Sequence, residues 1–191
     1  MKTIRTNSPV AGQRWAVFAL AAAGLLGGAS AVSAASLKGQ VLGAGEPVAQ
    51  STVTLWAGSA GAPKQLAQAR TDAQGRFSLT VPGARQGTSL YLVAQGGQSA
   101  ANKAAGNNPA IGLITVLGSK APTTVTINEM TTIATVWTHN QFINGTAIQA
   151  QPLQLKIAAG NVPSFVNLAT GGWGGTIQDP LNSGQTPDRK S

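Results

Sequence analysis

The 191-residue sequence contains no cysteine. Without cysteine the chain forms no disulfide bond, so hydrophobic packing alone must stabilise its fold. The same absence excludes thiolate catalysis, zinc–thiolate sites and cysteine-ligated iron–sulfur clusters.

Acidic residues and histidine are also scarce. The carboxylates are Glu46, Asp72, Glu129, Asp179 and Asp188, and the one histidine is His139. A Ser-His-Asp system would have to use His139, and the G-x-S-x-G nucleophile motif does not occur. Glycoside hydrolysis needs a pair of carboxylates, whereas three of these five fall in predicted turns or the tail. The sequence therefore predicts no catalytic residues, no metal site and no cofactor, with His139 as a solvent-facing or satisfied core residue.

The N-terminal residues have the pattern of a secretory signal peptide. Lys2, Arg5 and Arg14 precede the apolar stretch 15–27, and small residues follow it up to Ala34. We expect cleavage after Ala34, with Ala31 as the second choice, and a secreted protein that is periplasmic or extracellular. An uncleaved membrane anchor is the alternative, but the small and polar second half of the segment disfavours a spanning helix.

The residues after this segment carry a weak positive charge. Ten basic and five acidic residues remain, a net charge of +5, and among the basic ones only Arg189 and Lys190 are adjacent. Nucleic-acid binding usually requires a clustered basic surface with interleaved aromatic residues. We therefore expect no nucleic-acid partner and attribute the charge to solubility.

Short alternating runs separated by turn residues predict an all-β sandwich over residues 35–128. The predicted strands cover residues 36–43, 51–58, 65–71, 76–82, 88–96, 113–118 and 123–128.

The stretch TDAQGRFSLTVP, residues 71–82, contains the most informative of these turns. Asp72 can accept from backbone N–H groups two residues further on, and Gly75 can adopt a positive φ. A calcium loop would need further oxygen ligands, and a phosphate loop would need a different glycine pattern. We therefore predict that Asp72 and Gly75 form a structural turn.

Residues 36–96 resemble the carboxypeptidase regulatory-like, or prealbumin-like, domain. The resemblance rests on Gly39-x-Val41, on the predicted turn Pro47-Val48-Ala49, on Val53-x-Leu55, and on T-D-x-x-G-x-F from Thr71 to Phe77. It implies a seven-stranded antiparallel sandwich that is appended to enzymes, receptors and surface proteins and is usually non-catalytic. Some relatives have a carbohydrate-binding-like fold.

After Asn128 the periodicity becomes helical. Met130, Ile133, Ala134, Trp137 and Gln141 recur at helical spacing, with Asn128 as N-cap and Glu129 in the first turn. A strand over the same residues is the alternative, because Ile133, Thr135 and Trp137 also alternate. Two short helices are predicted next, 152–161 ending at Gly160 and 162–172 beginning near Pro163.

The segment 129–172 is thus predicted to be a helical appendage, and 173–191 a flexible tail. The N-E-x-T-T-x-A motif at the start of the helical segment, residues 128–134, resembles a helical tail that follows such domains in exported bacterial proteins. In those proteins the chain continues, so we hypothesise that this chain is a shortened form.

Two functional hypotheses remain. The preferred one is a non-catalytic structural or interaction module with an unidentified protein partner. The alternative is a carbohydrate-binding module, because Trp56 and Tyr91 are predicted to lie opposite the aliphatic residues of their strands, and exposed aromatic rings stack on sugars. The interpretation that we prefer for these two residues is that the C-terminal helices cover that face and bury both rings.

Overall fold

The computed structural model of the protein describes residues 35–82 and 86–174. The strands are β1 (Ala35–Gly43), β2 (Glu46–Ala49), β3 (Thr52–Gly58), β4 (Lys64–Arg70), β5 (Arg76–Val81), β6 (Ser89–Gln95), β7 (Gln98–Ser99), β8 (Gly112–Gly118), β9 (Thr124–Ile127), β10 (Ile143–Asn144) and β11 (Ala147–Ile148). The helices are α1 (Glu129–His139) and α2 (Pro152–Phe165), and short 3-10 segments cover Ala100–Ala105 and Asn140–Phe142.

Most of the strands form two sheets. Sheet A has the order β5-β1-β2-β7, with β9 added beside β1, and sheet B has the order β4-β3-β6-β8. The mainly β fold with a helical appendage is confirmed. One pairing departs from a purely antiparallel arrangement, because β9 runs parallel to β1, with Lys38 beside Thr124 and Val41 beside Ile127.

The main hydrophobic core lies between the two sheets. Phe77, Leu79 and Val81 of β5 are buried while the residues between them are exposed, as expected for a strand with one face in the core. Leu37 and Val41 of β1 and the other sheet residues of the core pack with them, namely Val48, Val53, Leu55, Leu90, Leu92, Ala94, Leu113, Leu117, Val125 and Ile127.

Sheet B is covered on both faces. Every residue of β6 from Ser89 to Ala94 is buried, which explains why this strand reads as a nearly continuous apolar run. On its second face a separate cluster joins the sheet to the helices and to β11; its members are Tyr91, Val93, Ile114, Val116, Ala134, Ile148, Leu155, Val162 and Val166. The described residues therefore form three layers: sheet A, sheet B and a helical layer.

The predicted turn at Pro47-Val48-Ala49 is wrong. These residues belong to β2, which pairs with β1 through a tight turn at Ala44 and Gly45. Both turn residues have positive φ, 54° and 79°, which matches the two-residue hairpin turn that follows the twist of the strands. Pro47 is accommodated because it lies near the start of a short strand.

The predicted helix after Asn128 is confirmed over Glu129–His139. Asn128 caps it as predicted: its side chain accepts from the Thr131 N–H at 2.9 Å, and the Thr131 hydroxyl accepts from the Asn128 N–H at 2.9 Å. This reciprocal capping box satisfies backbone donors that the first helical turn leaves open.

The two predicted short helices are in fact one, α2, which continues through Gly160 and contains Pro163. Leu155, Ala158 and Val162 are its buried residues and recur at helical spacing across Gly160. Packing of this continuous apolar stripe against sheet B outweighs the local signals for a break. Gly171, with φ of 71°, ends the turn that follows the helix, where its N–H donates to the Asn167 carbonyl.

Several sequence predictions lie outside the described residues. These are the signal segment 1–34 with its cleavage site after Ala34, and the tail from residue 175 onward. Within residues 35–82 and 86–174, no helix combines the length and the apolar character needed to cross a membrane.

Candidate binding surfaces

The turn between β4 and β5 has the predicted structural geometry. One Asp72 carboxylate oxygen accepts from the N–H groups of Gln74 at 2.9 Å and Arg76 at 2.8 Å. Gly75 has φ of +70°, and an added Cβ there would lie 2.5 Å from the Val41 carbonyl oxygen. Both the backbone conformation and the close approach therefore require glycine at this position.

The flanking residues of the same motif are structural as well. The buried Thr71 hydroxyl accepts from the Ser51 N–H and donates to the Val48 carbonyl, both at 2.8 Å. Phe77 enters the core against Gly39, where an added Cβ would lie 2.4 Å from the ring. The T-D-x-x-G-x-F motif and the Gly39-x-Val41 motif thus serve the same packing arrangement, and neither presents a reactive group.

Two of the three described carboxylates bind backbone amides. Asp72 holds its own turn, and the Glu129 carboxylate accepts from the Ala44 N–H at 2.7 Å. Glu129 thereby connects the first turn of α1 to the β1–β2 turn, and its charge is favourable at a helix N-terminus. Glu46 is the third; Asp179 and Asp188 lie outside the described residues. Among the residues described, no three His, Cys, Asp or Glu side chains are grouped in a way that could hold a metal ion.

His139 is a fully buried residue at the end of α1. Its Nδ1 lies 2.8 Å from the Thr138 hydroxyl, while its Nε2 has no hydrogen-bond partner among the described residues. Burial lowers the pKa of His139 to about 4, and a hydrogen bond with the Thr135 backbone opposes that shift in part. The ring is therefore neutral near neutral pH. Of the two alternatives that the sequence left for His139, the solvent-facing one is wrong; the ring is a core residue, but only its Nδ1 has a partner among the described residues.

Tyr91 is enclosed, as expected if the C-terminal helices cover its face of the sheet. It is 1% exposed and packs in the cluster between sheet B and the helices. Its hydroxyl accepts from the Ile148 N–H at 3.3 Å, and burial raises the pKa of Tyr91. Trp56 lies beside Tyr91 on β3 and is only partly exposed. The helical layer and the β10–β11 hairpin thus cover the face that carries both rings, and they enclose Tyr91 fully but Trp56 only in part. Sugar binding itself stays a prediction.

The inward face of α1 consists mainly of threonine and alanine. β8 is the edge strand of sheet B, and α1 lies along it. The Thr132 hydroxyl accepts from the Ile114 N–H at 3.1 Å, and the Thr135 hydroxyl accepts from the Val116 N–H at 3.0 Å. These two contacts satisfy backbone donors that an unpaired edge strand leaves open.

The outward side of the helical layer carries large apolar side chains. On α1, Ile133 is 61% and Trp137 is 71% exposed, and on α2, Leu153 is 67% and Ile157 is 60% exposed. Each pair is spaced by four residues, so its members share one side of their helix. We call these four residues, together with the exposed Val136, the apolar helical face.

The outer face of sheet A is polar instead. It contains a groove of about 550 Å³ whose lining includes Lys38, Arg76, Ser78 and Thr124 of sheet A and extends to Arg70 at the end of β4 in sheet B. We call this concavity the sheet A groove. Its cations come from three different strands, β1, β4 and β5.

Neither the apolar helical face nor the sheet A groove was predicted from the sequence. The Thr131, Thr132 and Thr135 spacing was the available signal for the helix, because hydroxyls on one side leave Ile133, Val136 and Trp137 on the other. The basic residues of the groove are separated along the sequence, so no local charge cluster indicated it.

Comparison with known proteins yields little. No protein-family model and no curated protein matches the chain. A solved structure of a 9R-lipoxygenase from Cyanothece PCC8801 is similar at 17% identity with a TM-score of 0.34. The likeness covers 50% of this chain and 16% of that chain, and at this TM-score it carries no argument about fold or activity.

Proposed function

We propose that the protein is an exported, non-catalytic interaction module that binds a protein partner through its apolar helical face. The observation that carries the proposal is the inverted orientation of α1, with its threonines turned to sheet B and Ile133 and Trp137 turned outward. Large exposed apolar patches are typical of protein interaction sites rather than of isolated soluble domains.

The sandwich beneath this layer is proposed to be a carboxypeptidase regulatory-like domain of the prealbumin-like type. The strand pattern of residues 36–96 and the structural roles of Thr71, Asp72, Gly75 and Phe77 support it, since these residues account for the motif that carries the resemblance. Such a domain would serve as a rigid support for the helices.

Export follows from the proposed signal peptide. β1 begins at Ala35, so cleavage after Ala34 would leave every described strand intact. The intact mass of the protein recovered from the exported fraction tests this step, and a mass that includes residues 1–34 would contradict it.

The partner is expected to present an apolar, weakly charged surface. The two helices contain one acidic residue, Glu129, and one basic residue, Lys156, so charge contributes little to this side of the molecule. Tryptophan is among the residue types that supply most of the affinity when they become buried at the centre of an interface, which makes Trp137 the expected anchor.

Site-specific photo-cross-linking tests the proposal in cells that export the protein. A photoreactive phenylalanine replaces Trp137 in one variant and Thr80, which is exposed on the outer side of sheet A, in the matched control. We expect a discrete adduct with a second protein from position 137 but not from position 80, and its loss when Ile133→Ser is added. Equal labelling at both positions, or none at position 137, would contradict the proposal.

Self-association is measured in parallel. Sedimentation velocity of the purified protein should show a monomer. A dimer that dissociates on Trp137→Ser would identify a second copy as the partner and overturn the assignment to a different protein.

The carbohydrate-binding alternative now depends on Trp56 alone, because the ring of Tyr91 is enclosed. Its test is a titration with neutral polysaccharides, comparing the wild type with Trp56→Phe. Binding that disappears in the variant would favour it.

A further inference from the structure

We propose that the sheet A groove is a second binding site, specific for the acidic groups of an extended glycan. The groove lies on the outer side of sheet A, whereas the apolar helical face belongs to the layer packed on sheet B. The two sites are therefore independent, and the groove retains its argument if the proposed protein partner proves wrong.

The strand register places polar side chains of the groove in two rows. Lys38 pairs with Ser78 on one side and Thr124 on the other. Gln40 pairs in the same way with Arg76 and Thr126. Lys38 and Arg76 are thus diagonal neighbours on one face, a relation in which residues lie about 7–8 Å apart and their Cβ atoms somewhat closer. This spacing allows both cations to reach acidic groups of one bound chain.

The charge of the groove is positive and largely unneutralised. Among the residues that the structure describes, the groove is lined by the cations Lys38, Arg70 and Arg76 and by one carboxylate, Asp72. One Asp72 oxygen is occupied by the N–H groups of Gln74 and Arg76, which leaves that carboxylate less able to pair with a side chain. In the described parts of the chain, neither the Lys38 ammonium nor the Arg76 guanidinium has a hydrogen-bond or ion-pair partner.

The basic residues are unevenly distributed over this weakly charged protein. Seven basic residues are described, and three of them line this one groove. Arg70 donates to the Gln50 carbonyl at 3.4 Å, a long contact that leaves its remaining donors available. Guanidinium groups bind carboxylate and sulfate oxygens through two parallel hydrogen bonds, which suits an acidic sugar.

The neighbouring groups favour a glycan over other polyanions. Ser78 and Thr124 offer hydroxyls that both donate and accept, as the hydroxyls of a sugar require. A peptide that binds by strand addition needs an open sheet edge, but the groove is a sheet face. A membrane surface would require exposed apolar side chains beside the cations, and none of the large exposed apolar residues of the described chain lines the groove.

The test uses isothermal titration of the purified protein with polygalacturonate, at low and at physiological ionic strength. The groove variant combines Lys38→Gln, Arg70→Gln and Arg76→Gln. The matched control variant combines Lys64→Gln, Lys103→Gln and Lys156→Gln, three exposed residues that do not line the groove, so both variants lose the same charge. We expect the groove variant to bind about tenfold or more weakly and the control variant to bind like the wild type.

Three further ligands separate specific binding from general attraction. Neutral dextran should not bind, and poly-L-glutamate and anionic lipid vesicles should bind more weakly than polygalacturonate. No binding of polygalacturonate by the wild type, or equal losses in both triple variants, would overturn the proposal. Tighter binding of polyglutamate or of vesicles would overturn the assignment to a glycan.

A measurement on the wild type guards against a groove variant that misfolds. Amide chemical shifts recorded during the titration should change at Lys38, Ser78 and Thr124. Changes confined to residues outside the sheet A groove would contradict the proposal even if the variants could not be purified.

Discussion

The sandwich and the helical layer distribute their side chains in opposite ways. In the sandwich, leucine, valine and phenylalanine face inward and threonine, serine and arginine face outward, as β5 shows. In α1 the buried residues are Thr131, Ala134, Thr135 and His139, whereas Ile133 and Trp137 are exposed. Threonine is therefore an exposed residue type in the sandwich strand but a buried one in α1, and large apolar residues show the reverse.

The difference follows from what each element packs against. A strand of sheet A faces a sheet surface made of aliphatic side chains, so apolar area decides its orientation. Helix α1 lies along the edge strand β8, where backbone N–H groups need acceptors, and the hydroxyls of Thr132 and Thr135 provide them. A buried donor left without a partner costs more than a partly exposed apolar side chain does.

The largest difference is expected when the same substitution, leucine to alanine, is made in each of the two layers. Leu92→Ala in the sandwich core should lower the free energy of unfolding by about 2–5 kcal/mol, because Leu92 is fully buried. Leu153→Ala on the apolar helical face should lower it by less than about 0.5 kcal/mol. Urea unfolding of both variants provides the measurement. Similar losses in the two variants would show that Leu153 belongs to a core, which would contradict the proposed difference between the two layers.

A smaller effect is expected at the edge of sheet B. Thr135→Val keeps the shape of the side chain but leaves the Val116 N–H without an acceptor, which should cost about 1–3 kcal/mol. Thr135→Ser retains the hydroxyl and should lose less of the unfolding free energy. The Val116 amide should also exchange its hydrogen faster in the valine variant than in the serine variant. If the Val116 amide exchanges at the same rate in both variants, the Thr135 hydroxyl is not the acceptor of its hydrogen bond.

The next effect depends on pH. His139 is neutral in the fold because burial lowers its pKa to about 4, whereas the unfolded chain protonates it near pH 6.5. Its contribution to stability is thus fully present above pH 6.5 and is lost as the pH falls from 6.5 toward 4, by at most about 1.4 kcal/mol per pH unit. Unfolding of the wild type and of His139→Gln across this interval isolates the effect, because only the wild type contains the imidazole. Parallel pH curves would mean that His139 is accessible to protons in the fold.

The sequence was most informative where one local interaction determines the structure. The strands follow from alternation, the Asp72–Gly75 turn from side-chain acceptors and positive φ, and the start of α1 from the Asn128 capping box. Each depends on residues within a few positions of one another. The sequence could therefore predict these features without knowledge of the tertiary fold.

Features that depend on distant contacts were missed. Periodicity identified α1 but not its buried side, because nothing nearby indicates that the helix lies on a strand edge. Gly160 and Pro163 indicated a helix boundary, yet the stripe of Leu155, Ala158 and Val162 holds one helix together against sheet B. Burial of Tyr91 was anticipated from the predicted C-terminal helices, but the contact of its hydroxyl with the Ile148 N–H, 57 residues away, was not.

The orientation of α1 is the central structural claim, and iodide quenching of tryptophan fluorescence tests it most directly. Replacement of Trp15, Trp56 and Trp173 by phenylalanine leaves Trp137 as the one remaining tryptophan. Because Trp137 is 71% exposed, we predict red-shifted emission and a quenching constant close to that of free tryptophanamide. Blue-shifted emission that iodide hardly quenches, in a monomer with no partner present, would show that Trp137 faces sheet B. The helical layer would then be ordinary core, and the proposed interaction surface would not exist.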